Sequence, residues 1–234
     1  MFQFFVLLAL GGIASSSASA AQVTASATAS NAYYEVGSDS TRELAVSAFD
    51  RIAPMGAPTE EVPGTEVDQA SVIFDKLVLL GQKFWKLVEG GKPIANFSSQ
   101  RADVLPQGIE KWQDLSGWQV PVSKRFERVI QNKLGINVVT FRYRVIYNWG
   151  GSVNGKGAYL MGVTVYPEVI NVAWGWNLDA QVTIPTISNA GTSENPKAGV
   201  ELLISSKVRT PMTLIDNSES YYVRGDGLFA NLQE

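Results

Sequence analysis

The chain contains no cysteine and no histidine. Without thiols it has no disulfides and no thiolate nucleophile. Without imidazole it lacks the commonest general base, metal ligand and physiological-pH switch. Serine hydroxyls therefore have no histidine partner, and a zinc site has no suitable ligand set. Glu60-Glu61 lies in a proline-rich stretch, and no carboxylate pair on a predicted ordered element is placed for acid–base work. These absences predict a protein that is not an enzyme and that takes no metal and no cofactor.

Charge is also scarce. Only 18% of residues are charged, against about 25% in ordinary soluble domains. The 19 basic and 22 acidic residues leave a net charge of −3, which carries no electrostatic footprint for nucleic acid. No stretch reaches about 18 uninterrupted apolar residues, so no helix is predicted to cross a membrane.

Residues 1–20 read as a secretory signal peptide, with an apolar run to Gly12 and small residues ending in Ala18-Ser19-Ala20, although no Lys or Arg precedes the run. Residues 21–66 read as a flexible, Ala/Ser/Thr-rich N-terminal segment followed by a linker with Pro54, Pro58 and Pro63. Within that segment, Thr41 to Ile52 shows a short helix-like pattern at Leu44, Ala48 and Ile52.

Residues 67–123 read as an amphipathic helix and a connecting region. Ile73, Leu77, Leu80, Phe84, Leu87 and Val88 recur at helical spacing, with Asp75, Gln82, Lys83, Lys86 and Glu89 mostly on other faces, and Gly90-Gly91 stops the helix. Its apolar stripe either packs on the protein's own core or contacts lipid.

Residues 124–234 read as a β-strand region. Val139, Phe141, Tyr143 and Val145 alternate with Thr140, Arg142 and Arg144. Asn154-Gly155 has the positive-φ residues of a tight hairpin turn, after which Tyr159 to Tyr166 returns as a strand. From Ile170 to Ile184 every second residue is apolar, including Val172, Trp174, Trp176, Leu178 and Val182. One continuous strand there would be about 15 residues, roughly 50 Å at about 3.3 Å per residue. Soluble sandwiches seldom need that length, whereas tilted membrane strands with extensions do. The run from Val200 to Leu214 has its weak point at Pro211, and Tyr221 to Arg224 is predicted as a short last strand.

These patterns amount to about five or six strands, fewer than the 8 or so of the smallest single-chain membrane barrel. An open sheet in lipid leaves edge N–H and C=O groups unpaired. The prediction is a mainly β (α+β) protein with long antiparallel membrane-type strands, whose wall is shared between copies in a cyclic homo-oligomer. Val172, Trp174, Trp176, Leu178 and Val182 are expected to face lipid, and Leu77, Leu80, Phe84 and Leu87 to face the inner side of the wall or enclosed lipid. The competing expectation is a soluble periplasmic β-sandwich that binds a ligand in a cleft, with the apolar face as an ordinary core.

Two local motifs are set aside. Gly150 to Lys156 imitates a phosphate-binding loop, but Gly157 stands where Ser or Thr is needed and a strand follows. Arg224-Gly225-Asp226 resembles an adhesion tripeptide in a setting that predicts a turn after a strand.

Several segments together resemble the porin-like, lipid-trapping major outer-membrane proteins of Bdellovibrio-type predatory bacteria, the PopA family. They are Phe74-Asp75-Lys76-Leu77-Val78, Lys86-Leu87-Val88-Glu89, Leu105-Pro106-Gln107-Gly108-Ile109, Tyr143-Arg144-Val145-Ile146-Tyr147, Asn154-Gly155-Lys156-Gly157, Val172-Ala173-Trp174-Gly175-Trp176 and Tyr221-Tyr222-Val223-Arg224-Gly225-Asp226-Gly227. They span most of residues 70–230. The resemblance implies a bacterial outer-membrane ring of five subunits, partnered by itself and by membrane lipids, shaped as a bowl that encloses a lipid patch. The C-terminal Asn231-Leu232-Gln233-Glu234 departs from the terminal aromatic of ordinary outer-membrane barrels, although Phe229 is close by.

Overall fold

Period-two alternation dominates the C-terminal half, and the chain answers it with strands that each turn one apolar face inward. The computed structural model describes residues 31–45 and 95–233. Within them, ten strands follow in order: β1 (Val36–Glu43), β2 (Ala95–Ser99), β3 (Arg101–Val104), β4 (Val122–Asn132), β5 (Asn137–Val153), β6 (Lys156–Val172), β7 (Asn177–Asn189), β8 (Ala198–Arg209), β9 (Leu214–Arg224) and β10 (Phe229–Asn231). One helical turn at 31–34 and one 3-10 turn at Trp112–Asp114 complete the regular structure. The protein is mainly β.

The strands form two five-stranded sheets, one in the order β1-β4-β5-β6-β3 and the other in the order β10-β9-β8-β7-β2. Every neighbouring pair is antiparallel except β2 with β7. The sheets face each other across a single apolar core. Phe126, Ile130, Phe141, Tyr143 and Val145 come from the first sheet, and Leu178, Val182, Leu202, Ile204, Tyr221 and Val223 from the second. Along one side, β2 and β3 are separated only by Gln100, whose N–H donates to the Val182 carbonyl of the second sheet while its own carbonyl accepts from Thr164 of the first. The chain thus crosses between sheets without leaving the edge.

Four expectations change. The run from Ile170 to Ile184 is not one strand: β6 ends at Val172, the chain turns through Ala173 to Trp176, and β7 begins in the other sheet. Gly175 makes the corner at φ 79°, and the Trp176 N–H closes it on the Ala173 carbonyl. The alternation survives the corner because both strands direct the same parity of residues into one core. Second, β1 occupies a segment read as flexible and takes in the start of the helix-like spacing, while β2 and β3 lie in the region read as connecting; β4 begins two residues ahead of the predicted boundary. Third, ten strands exceed the five or six expected, so a shared wall no longer follows from strand number. Fourth, the apolar faces of the long strands β5 and β6 are covered by the chain's own second sheet.

Asn154 and Gly155 join β5 to β6 with φ of 50° and 73°, both left-handed as a two-residue hairpin of this twist requires. At the same end, Gly225 links the sheets through its backbone: its carbonyl accepts from Gly150 of β5 and its N–H donates to Ala198 of β8. A Cβ at Gly225 would overlap the Ala158 carbonyl. Gly225→Ala should lower unfolding free energy by about 1–3 kcal/mol or more in a denaturant titration, because backbone must move to admit a methyl group. Outside the first sheet near this end, Leu115 and Trp118 from the loop before β4 cover Ile146 and Met161.

Candidate functional site

Three turns converge on the end of the sandwich opposite the Asn154-Gly155 hairpin: β4 to β5, β6 to β7 and β8 to β9. The register places Asn132, Val172, Arg209 and Leu214 there together. These turns carry Leu134, Ile136, Trp174, Met212 and Leu214, all exposed, with Trp174 78% open to solvent. Five large apolar side chains at one end amount to more than the singly scattered ones normal for a soluble surface.

The turns are held in place. The Asn132 side-chain oxygen accepts from the N–H groups of Leu134 and Ile136, each at 3.0 Å. Tyr33 donates to the Trp174 carbonyl at 3.0 Å, and Thr210 and Thr213 both donate to the Tyr34 carbonyl. The Tyr34 ring lies where a Cβ on Gly175 would sit. Residues 33–34 therefore bind the turns of both sheets into one platform. Its rim charges are paired: Lys133 with Glu35, Arg209 with Asp179 and Lys207 with Asp216.

Of the residues expected to face lipid, Trp176, Leu178 and Val182 are at most 1% exposed, packed between the sheets and covered by this chain's own side chains. That corrects their assignment in this fold. Val172 is half-buried against the same core, and only Trp174 is open. Leu77, Leu80, Phe84 and Leu87 lie outside the described residues.

Arg142 and Arg144 are engaged in ion pairs on the outer face of the first sheet. Glu127 accepts from Arg142 at 2.5 Å and Arg42 at 2.6 Å, and these bonds hold its carboxyl below the usual range. Glu168 accepts from Arg144 and, at 2.8 Å, from Arg125. Arg224 pairs with Asp226 in its own tripeptide at 2.7 Å, and Lys197 reaches the same carboxylate at 3.0 Å. Those bonds, Arg224's first, hold Asp226 down to about 2. Since its ordinary value is 3.8, the unfolded chain takes up the proton first as pH falls. The Asp226 contribution to stability should be full above about pH 4 and disappear on descent through about pH 2, and Asp226→Asn should flatten that part of the acid-denaturation profile.

Polar groups also sit inside the core. Glu219, nearly fully buried, accepts from Tyr143 and from Thr41 of β1, and the Tyr143 and Tyr221 hydroxyls are 2.7 Å apart. Burial pushes both tyrosines upward, so they remain protonated donors. Asp39 of β1 grips the buried Arg128 at 2.8 and 2.5 Å, and Arg128 reaches across to Ser206 of the other sheet. Sequence reasoning missed both groups: a charge at an inward position of a strand was the available signal, at Arg128 and Glu219. Among the described residues no group of three or more acidic residues is arranged to hold a metal ion, and no helix is long and apolar enough to cross a membrane. The chain matches no family model, no curated protein and no solved structure.

Proposed function

We propose that this is a non-enzymatic, porin-like structural protein of a bacterial outer membrane that assembles with copies of itself and encloses lipid, the sandwich serving as a rigid body that stands on the lipid surface. The observation that carries the reading is the apolar platform of Leu134, Ile136, Trp174, Met212 and Leu214. Full burial of each such side chain is worth about 1.5–3 kcal/mol, so partial insertion of several suffices for membrane association. Tryptophan in particular favours the interfacial layer. The resemblance described above and the apolar stripe of Leu77, Leu80, Phe84 and Leu87 in the sequence support the same reading, with five subunits as the expected ring.

Flotation with phospholipid vesicles tests it. Wild-type protein should float, and the Trp174→Asp/Leu214→Asp double variant should lose at least about tenfold in partitioning, because charges at inserted positions cost several kcal/mol. Its thermal midpoint should be unchanged, both sites being exposed. A second reading, a soluble periplasmic ligand-binding sandwich, is favoured by the closed core between the two sheets. It requires protein that stays in the dense fraction and is monodisperse without detergent.

A further inference from the structure

β1 is an edge strand held by charge. Among the described residues it pairs with β4 alone, from Val36 opposite Asn132 to Glu43 opposite Phe126, and every residue after Val36 is solvent-exposed. Its place on β4 is fixed by side chains, Asp39 on Arg128, Arg42 on Glu127 and Glu43 on Lys124, while Thr41 reaches Glu219 of β9 in the other sheet. The receiving groups are demanding. With β1 in place Arg128 has 2% of its side chain exposed and Glu127 6%, and an empty slot takes Asp39 from Arg128 and one of two arginines from Glu127, which keeps Arg142. The strand carries one large apolar side chain, Val36, and is otherwise glycine and polar residues.

Residues 44–94 separate β1 from β2, which lies at the far edge of the other sheet. Connections inside a compact domain are ordinarily about 4–6 residues, and about ten extended residues would cross a sandwich of this size. A connection of about fifty residues is long enough to reach the β4 edge of a neighbouring copy as well as that of its own chain. We propose that β1 is an exchangeable strand: in the assembled protein, the β4 edge of one copy receives β1 of a neighbouring copy, with Asp39 setting the register on Arg128. This rests on the self-assembly reading above. It follows the physics of strand addition, in which backbone hydrogen bonds bind and side chains select, and of element exchange between identical protomers.

The absence of cysteine makes the test clean. Ser40 and Val129 are directly paired and lie on the outward face with Arg42 and Glu127. Ser40→Cys and Val129→Cys are placed on two differently tagged full-length chains, co-expressed, treated in membranes with a short bismaleimide and scored for the hetero-tagged adduct. The double-cysteine chain sets the attainable yield. Exchange predicts a hetero-adduct within roughly twofold of the statistical maximum for a mixed ring, abolished by Asp39→Ala on the strand-donating chain. A link confined to single chains in the double variant, with no hetero-adduct while native mass shows an oligomer, overturns exchange and leaves the assembly reading standing. No adduct even in the double variant overturns it too, by removing the Ser40–Val129 register. A native mass of one chain removes both.

Discussion

Asp39→Ala should destabilise the protein by about 3–5 kcal/mol, the cost of breaking a buried ion pair from one side. The loss should appear as a fall of about 6–20 °C in thermal midpoint, at about 2–4 °C per kcal/mol for a domain of this size. The magnitude follows from the asymmetry of the pair: Arg128 has 2% of its side chain exposed and Asp39 25%. Removing Asp39 strands a guanidinium between the sheets with Ser206 as its remaining partner, whereas removing Arg128 leaves a carboxylate that water can reach. Arg128→Met should therefore cost clearly less than Asp39→Ala, and a double-mutant cycle should return a coupling larger than the roughly 0.2–1 kcal/mol of exposed pairs. Equal costs for the two single variants would contradict the burial on which this rests.

The second large effect separates two tryptophans two residues apart. Trp176→Ala should cost about 3–5 kcal/mol, since it empties the volume of a fully buried indole between the sheets. Trp174→Ala should stay within about 0.5 kcal/mol of wild type, since its side chain is solvated. Vesicle binding should show the reverse order, with Trp174→Ala weakened and any Trp176→Ala protein that folds still binding. Trp176→Phe is the control: the indole N–H has no hydrogen-bond partner among the described residues, so chiefly volume is lost and the cost should fall well below that of Ala. Urea titrations of the three variants, read beside flotation, settle the assignment.

The contrast between these residues also shows how far the chain was legible. Val172, Trp174, Trp176, Leu178 and Val182 share one parity, and parity alone assigns them one face. The corner at Gly175 breaks that inference without breaking the pattern. A turn that carries the chain from one sheet to the opposing one keeps inward residues inward, so the residue pattern runs on while the strand does not. Glycine at φ 79° was the local sign, but glycine recurs in strands for other reasons.

By itself the sequence determined what local stereochemistry and counting control. Alternation marked β5, and marked β7 and β8 less cleanly, with β7 run together with the end of β6; Asn154-Gly155 marked the hairpin because few other pairs tolerate two positive φ values, and Pro211 fell in the turn between β8 and β9 because proline cannot donate to a ladder. The lack of histidine and cysteine bounded the chemistry. Tertiary structure alone decided what covers each apolar face. Alternation states that one side of a strand is apolar, and is indifferent to whether a second sheet, a neighbour or lipid lies against it. The same holds for Arg128, Glu219 and β1: an inward charge is visible in the strand pattern, but it is stable only where a partner from a distant segment meets it, and that partner, 178 residues away for Thr41 and Glu219, is not marked locally in the chain.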